Sequence, residues 1–280
     1  MIEPLLYDTH MHTPLCKHAE GEPEEYASAA EKRGLKGIIF TCHNPMPDGF
    51  AARVRMSIEE FDEYVRIVQR AAETWRGSVD VRLGLECDYF PGIEPWLSRQ
   101  IESADLHYVL GSVHPFISGH AQKWFCPADP LANQVTYFEH VAMAGESGLF
   151  DCLSHPDIIK NAAPDEWQLD RIMDCICQCL DRVAATGTAM EFNTSGWNKA
   201  IPQANPGPQM LTEMARRGIP VVVGSDSHVP HRVGDRFGRA FDCLEQAGYE
   251  QVSFFLDRTS RQVPIDMARR SLKPVDADTS

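Results

Sequence analysis

Leu5-Leu6-Tyr7-Asp8-Thr9-His10-Met11-His12 reads as a short apolar strand that ends in two histidines one residue apart. Side chains alternate faces along a strand, so His10 and His12 point the same way. Neutral imidazole is the commonest protein ligand of a transition metal, and two on one face at a strand end form half of a metal site. The stretch predicts a strand whose C-terminal end carries chemistry.

The same arrangement recurs down the chain. Lys36–Cys42 is an apolar strand ending in His43, and Val79–Leu85 is one ending in Glu86. His107–Val113 leads to His114, Leu149–Ser154 to His155, and Gly218–Ser225 to Asp226 with His228 two residues on. His18 falls in the loop just beyond the first strand, and Ala189–Asn193 reads as a further strand. Helical patterns lie between them: Pro23–Arg33 stopped by Gly34, a Ser57-capped segment to about Trp75, Pro91–Ile101, Leu131–Ser147, Trp167–Ala185 closed by Gly187, Gln209–Arg217 and Asp235–Ala247. Val252–Leu256 and Arg261–Ile265 are expected to pair at an edge. This alternation predicts parallel strands joined by helical crossovers. In a β/α barrel the strand C-termini share one face, and the active site is built there. The 280 residues contain no linker or composition shift, which predicts one barrel domain over 1–280 with 273–280 a flexible tail.

Lys and Arg number 26 against 40 Asp and Glu, a net charge of −14. That field repels nucleic acid and anionic membranes, and no apolar run is long enough to span a bilayer. An anionic substrate would need metal ions or local Lys and Arg to reverse the sign inside the site. The Met-Ile-Glu-Pro start lacks the basic and apolar regions of a signal peptide, and the nine cysteines form no evident disulfide framework. Both point to reduced thiols and a cytoplasmic protein. Cys175, Cys177 and Cys179 spread around a helix rather than converge, and Cys42 and Cys87 alternate away from His43 and Glu86.

The strand-end set is His10, His12, His18, His43, His114, His155, His228, Glu86 and Asp226. It exceeds what one tetrahedral ion needs, so two or three ions sharing a bridging carboxylate account for it economically. Mixed nitrogen and oxygen donors suit Zn, Fe or Mn. Clustered cations lower the pKa of a bridging water and hold phosphoryl oxygens against it, the design for in-line hydrolysis of a phosphate ester.

The quoted segments resemble the motifs of the polymerase-and-histidinol-phosphatase (PHP) metallohydrolases: Asp8-Thr9-His10-Met11-His12, Cys16-Lys17-His18-Ala19, Thr41-Cys42-His43, Gly84-Leu85-Glu86-Cys87-Asp88-Tyr89, Gly111-Ser112-Val113-His114, Ser154-His155-Pro156 and Gly224-Ser225-Asp226-Ser227-His228. Ser147-Gly148-Leu149-Phe150-Asp151 and Glu191-Phe192-Asn193-Thr194-Ser195-Gly196 are similar to the histidinol-phosphatase branch. The resemblance implies a distorted (β/α)7 barrel with three divalent ions. It assigns His10, His12, Glu86 and Asp226 to the first ion, Glu86, His114 and His155 to the second, and His18, His43 and His228 to the third. It implies a bridging hydroxide as nucleophile, with Asp226, Glu86 and His228 in the catalytic roles and Asp226 relaying a proton. The reaction implied is hydrolysis of L-histidinol phosphate to L-histidinol and phosphate.

Substrate contacts are where the chain departs from that branch. Asn198, in Gly196-Trp197-Asn198-Lys199, stands where the branch often has an arginine that grips the phosphate, and Lys199 and Arg232 are the candidates to compensate. Trp197 either lines the organic end of the substrate or packs its loop, and Trp124 and His120 invite a lid role. Arg53 and Arg55 are read as anion contacts or surface residues. The same chemistry on another small phosphate, such as a nucleotide or sugar phosphate, is the alternative. Amidohydrolases also use a strand-end His-x-His, but they usually add a bridging lysine that no strand here supplies. A non-catalytic proofreading module would need a polymerase region to accompany it.

Overall fold

The protein is described by a computed structural model over residues 3–115, 123–126 and 128–273. Seven parallel strands follow one another in space in chain order: β1 (Tyr7–Asp8), β2 (Gly37–Phe40), β3 (Asp80–Asp88), β4 (Tyr108–Ser112), β5 (Cys152–Leu153), β6 (Ala189–Asn193) and β7 (Val221–Gly224). Sequences such as Gly-Ile-Ile-Phe and Val-Val-Val-Gly are apolar throughout because both faces are covered, one by helices and one by the interior. The helices are α1 (Pro23–Arg33), α2 (Phe61–Thr74), α3 (Glu94–Glu102), α4 (Pro130–Glu146), α5 (Leu169–Thr186), α6 (Pro208–Arg216), α7 (Phe237–Ala247) and α8 (Ile265–Ser271). The expected Gly34 stop is found, in the left-handed conformation at φ 74 that glycine adopts without steric cost.

β1 and β7 share no ladder. A single parallel bridge, Met11 to Ser227, joins their extensions at the C-terminal rim through His12 N to Ser227 O (2.9 Å) and Ser227 N to His10 O (3.1 Å). At the other end β8 (Gln251–Leu256) pairs with β7 at Val222 and Ser253, and β9 (Thr259–Pro264) returns antiparallel against β8, the edge pairing the sequence predicts. Tyr7 stacks on Phe254 at 4.8 Å and Tyr108 on Phe255 at 5.4 Å, so β8 plugs the base of the ring. The result is a distorted (β/α)7 barrel, drawn together at the rim and filled by β8 below.

Two local expectations shift. α2 starts at Phe61, not after Ser57, because residues 57–60 form a tight turn in which Ser57 N donates to Glu60 Oε2 at 2.7 Å. β2 ends at Phe40, so strand alternation does not extend to Cys42 and His43; His43 rejoins the sheet through an isolated bridge to Glu86. No helix among the described residues is long and apolar enough to cross a membrane. His120 and residues 274–280 lie outside the described residues.

Candidate metal centre

All nine strand-end donors meet at the C-terminal rim. His10 and His12 extend β1 and are fully buried, and Glu86 lies within β3 at 1% exposure. Its two oxygens face different partners. Oε2 is 2.8 Å from His43 Nδ1, 3.6 Å from His10 Nε2 and 3.7 Å from His12 Nε2. Oε1 is 3.0 Å from His155 Nε2 and 3.6 Å from His114 Nε2. Asp226 Oδ1 lies 3.3 Å from His12 Nε2 and 3.7 Å from His10 Nε2. On the outer side His18 Nε2 and His228 Nε2 are 3.0 Å apart, and the His228 ring stacks on His12 at 4.0 Å.

Backbone conformation helps aim these groups. His155 and Asp226 both have positive φ, at 24 and 51, a region that β-carbon-bearing residues enter at a cost of order 1–3 kcal/mol and that clusters at functional sites. His155 N is held there by Glu191 Oε2 at 2.8 Å. Gly224 ends β7 because a β-carbon would overlap Glu191 Oε1 and His10 Cβ, so the close packing of strand, carboxylate and imidazole requires glycine.

Hydrogen bonding tests whether the donors fit metal ions. His10 Nε2, both ring nitrogens of His12, His43 Nδ1, His155 Nδ1 and Glu86 Oε2 are buried without a hydrogen bond. His43 Nδ1 and Glu86 Oε2 are close but not aligned for one. Each such group left unsatisfied costs roughly 1–3 kcal/mol. His18 Nδ1 donates to Cys16 O at 2.7 Å and His228 Nδ1 to Asp226 O at 3.0 Å. Those bonds place the ring protons on Nδ1, so in the neutral rings two Nε2 lone pairs face each other, an arrangement that a cation between them relieves. Ligand atoms of His10, His12 and Glu86, of His43, Glu86 and His114, and of His12, His43 and His228 each lie within 4.8 Å of one another. The donor set fits divalent metal ions.

Electrostatics divide the rings: burial pulls His10, His12 and His114 down, but the facing carboxylates more than reverse it and take His12 to about 9. Burial pushes Glu86 up, but His43, His10 and His114 hold it well below the usual carboxylate range. Burial pushes Asp226 up too, and His10, His12, His228 and Lys199 reverse that. Burial and the neighbouring His12 charge pull His228 down to about 3, and burial takes His43 to about 3 against Glu86. These two rings are neutral at pH 7, with lone pairs available.

A layer the sequence reading missed lies behind the donors. His10 Nδ1 donates to Glu191 Oε1 at 2.7 Å, and Asn193 Nδ2 donates to Glu191 Oε2 at 3.0 Å. His114 Nδ1 donates to Asp88 Oδ1 at 2.5 Å, and the fully buried Arg55 pairs with the same carboxylate. Arg55 is therefore neither a surface residue nor an anion contact. Ser195 Oγ donates to Asp226 Oδ2 at 2.9 Å, turning Oδ1 toward His12. Cys42, expected by alternation to turn away from the donors, lies instead with Cys16 Sγ within 4.8 Å of a His12 ring nitrogen.

The expected substrate contacts divide. Lys199 is near enough for its charge to hold Asp226 down. Trp197 packs edge-on against Phe192 at 5.9 Å with Arg239 over its ring at 4.4 Å. Arg232 lies in the 230–232 turn with Nε 3.8 Å from Asp235 Oδ2, and its Nη2 is buried without a hydrogen bond. Asn198 Oδ1 accepts from Arg236 Nη2 at 2.9 Å. Trp124 packs edge-on to His140 at 5.0 Å.

Among known proteins, the PHP domain family matches residues 8–195. A probable histidinol-phosphatase of Deinococcus radiodurans is 39% identical over 259 residues, covering 89% of this chain and 96% of that one. The histidinol-phosphatase of Bacillus subtilis is 24% identical over 256 residues, covering 81% of this chain and 95% of that one. A crystal structure of histidinol phosphate phosphatase from Lactococcus lactis, complexed with zinc, L-histidinol and phosphate, matches with a TM-score of 0.76 at 18% identity, over 91% of this chain and 98% of that one. At that identity the likeness is one of fold.

Proposed function

Because the chain belongs to the PHP domain family, we propose that it hydrolyses L-histidinol phosphate to L-histidinol and phosphate, using three divalent ions of the zinc, iron or manganese type. The observation that carries the metal-dependent reading is the pair of Nε2 atoms of His18 and His228, 3.0 Å apart with their protons committed elsewhere. The substrate follows the two histidinol-phosphatase relatives.

In this reading His10, His12, Glu86 and Asp226 hold one ion, Glu86, His114 and His155 a second, and His18, His43 and His228 a third. Glu86 is the shared ligand, since its two oxygens already face separate groups of imidazoles. When bound, the ions supply Lewis acidity toward phosphoryl oxygens and activate water for attack. The chain supplies the rest. Asp226, held by Ser195, is the carboxylate that relays the proton, and His228 beside it orients that exchange. Lys199 and the unpartnered Nη2 of Arg232 offer positive charge to the phosphate, which the overall charge of −14 otherwise repels. All nine cysteines are free, in keeping with a reducing cytoplasm.

The test is phosphate release by metal-analysed protein from a panel of esters. Preference for histidinol phosphate over nucleotide and sugar phosphates is the expected result. Preference for another ester keeps the phosphatase chemistry and removes the substrate. No release from any ester by protein with bound metal overturns the enzyme.

A further inference from the structure

We infer that Cys42 is the positioning residue of His12: its Sγ accepts the His12 Nδ1–H and so aims Nε2 into the metal centre. This rests on the metal-binding part of the reading above and adds to it a sulfur acceptor among oxygen ones.

Four imidazoles of the centre are held from behind by an oxygen: His10 by Glu191, His114 by Asp88, His18 by Cys16 O and His228 by Asp226 O. His12 is held differently. Its Nε2 is turned to Asp226 Oδ1 at 3.3 Å and Glu86 Oε2 at 3.7 Å, and its Nδ1 is buried without a hydrogen bond among the described residues. The side chain is fully buried, so bulk water does not reach that nitrogen. Sulfur does lie within reach. Cys16 Sγ and Cys42 Sγ are within 4.8 Å of a His12 ring nitrogen and of each other. The carboxylates take up Nε2, and the two nitrogens of an imidazole point apart, which leaves Nδ1 for the sulfurs. A metal-ligating histidine donates its second N–H to an acceptor that fixes its tautomer and ring orientation. A buried N–H without an acceptor is costly.

Of the two sulfurs, Cys42 Sγ is the one tied to the chain at His12. Thr13 Oγ1 donates to it at 3.4 Å, and it donates in turn to Thr13 O at 3.7 Å. The residue that follows His12 thus holds the thiol by two contacts. Committing the S–H to a carbonyl leaves sulfur lone pairs for the imidazole. The main chain is fixed as well. Cys42 N donates to Tyr64 Oη at 3.2 Å, and that hydroxyl lies 2.9 Å from both Phe40 O and Gly84 O. A fully buried side chain anchored at its amide and at its sulfur has little room to move, as an orienting contact requires.

The competing role is packing: a small buried residue fills space behind the first two strand ends and leaves the imidazole alone. Full-length wild type, Cys42→Ala, Cys42→Ser and Cys179→Ala separate the two, the last removing a buried thiol of the α5 core. We measure zinc affinity by competition with a chelator, and the ring N–H resonances by NMR of nitrogen-labelled, zinc-loaded protein. For Cys42→Ala we expect zinc affinity to fall by about tenfold, the lower end for loss of such a partner because sulfur accepts weakly. One ring N–H resonance should shift and exchange faster with water. Serine, which keeps an acceptor at that place, should recover part of both. Cys179→Ala should change neither.

Zinc affinity equal to wild type in Cys42→Ala overturns the proposal. So does a fall that leaves every ring resonance in place, or one that serine does not soften, since that is packing alone. If Cys42→Ala does not fold, Cys42→Ser decides: the resonance should move as the acceptor changes from sulfur to oxygen, and an unmoved resonance overturns the contact. Wild type that binds no zinc removes the metal centre separately, and the ring resonances of the metal-free proteins still report whether Cys42 holds His12.

Discussion

In the deep half of the metal cluster, His10 and His114 donate to buried carboxylates, Glu191 at 2.7 Å and Asp88 at 2.5 Å. In the outer half, His18 and His228 donate to main-chain carbonyls, Cys16 O at 2.7 Å and Asp226 O at 3.0 Å. A carbonyl fixes the tautomer and the ring orientation. A carboxylate does both and also raises the basicity of the nitrogen that binds the ion. Of the deep rings His10 is fully buried and His114 is 12% exposed, whereas in the outer pair His18 is exposed and His228 is at 26%. The same imidazole is thus held in two different ways. In the proposed centre the deep half would hold its ions longer than the outer half, whose rings solvent reaches.

The largest effect belongs to the carboxylate on which the deep half converges. Glu86→Ala should lower kcat by about a thousandfold or more, the scale on which removing a group of a cooperative site acts. Far-UV circular dichroism should show a retained fold, because the barrel core does not depend on Glu86. Asp226→Ala should behave alike. Normal turnover in either variant would sink the metal-site reading. Next come the partners that distinguish the halves. Glu191→Gln and Asp88→Asn should each weaken metal affinity by roughly tenfold to a hundredfold, measured by competition with a chelator. Equal affinity in wild type and both variants would erase the difference between deep and outer rings. A third test uses time: on dilution into chelator, loss of metal should be biphasic, one part leaving at least a few-fold faster than the rest. His18→Ala should remove the fast part. A single phase in wild type would say that the two halves exchange alike.

The sequence announces the donors and hides most of what stands behind them. Apart from His18 and His228, the donors lie at the ends of short apolar runs, and a run of buried β-strand residues followed by histidine is conspicuous because nothing in core packing asks for it. Asp88 was within reach: two residues after Glu86 on one strand, it shares that face by alternation. Glu191 was too, as a carboxylate inside the fully buried strand Ala189–Asn193. Arg55 was not, because its partner is reached through a loop whose path no periodicity encodes, and its full burial depends on Asp88 being there to pair with it. The same limit shows at Cys42. Alternation fails once β2 stops at Phe40, so the proximity of its sulfur to His12 is a property of the chain's course after the strand. Register within strands was legible, and contacts made by loops across the rim were not.

The smallest effect is expected where the comparison predicts no metal at all. Cys175, Cys177 and Cys179 sit at alternate positions in α5, about 100° apart per residue, and turn successively around the helix. Cys179 is buried in the core, Cys177 Sγ lies 3.8 Å from Glu213 Oε2, and Cys175 is half-buried. Their burial therefore differs as helix packing requires, with no common focus for an ion. Burial also pushes the Cys175 thiol up, away from the thiolate that soft metals bind. Cys175→Ala should leave bound metal per chain and kcat/KM as in wild type and move the melting temperature by no more than about 4 °C, the shift of a sub-kcal/mol surface-type change. A drop in bound metal would mean that a thiol of α5 feeds the centre. The division between strand-end imidazoles that coordinate and helix cysteines that pack would then have to be redrawn.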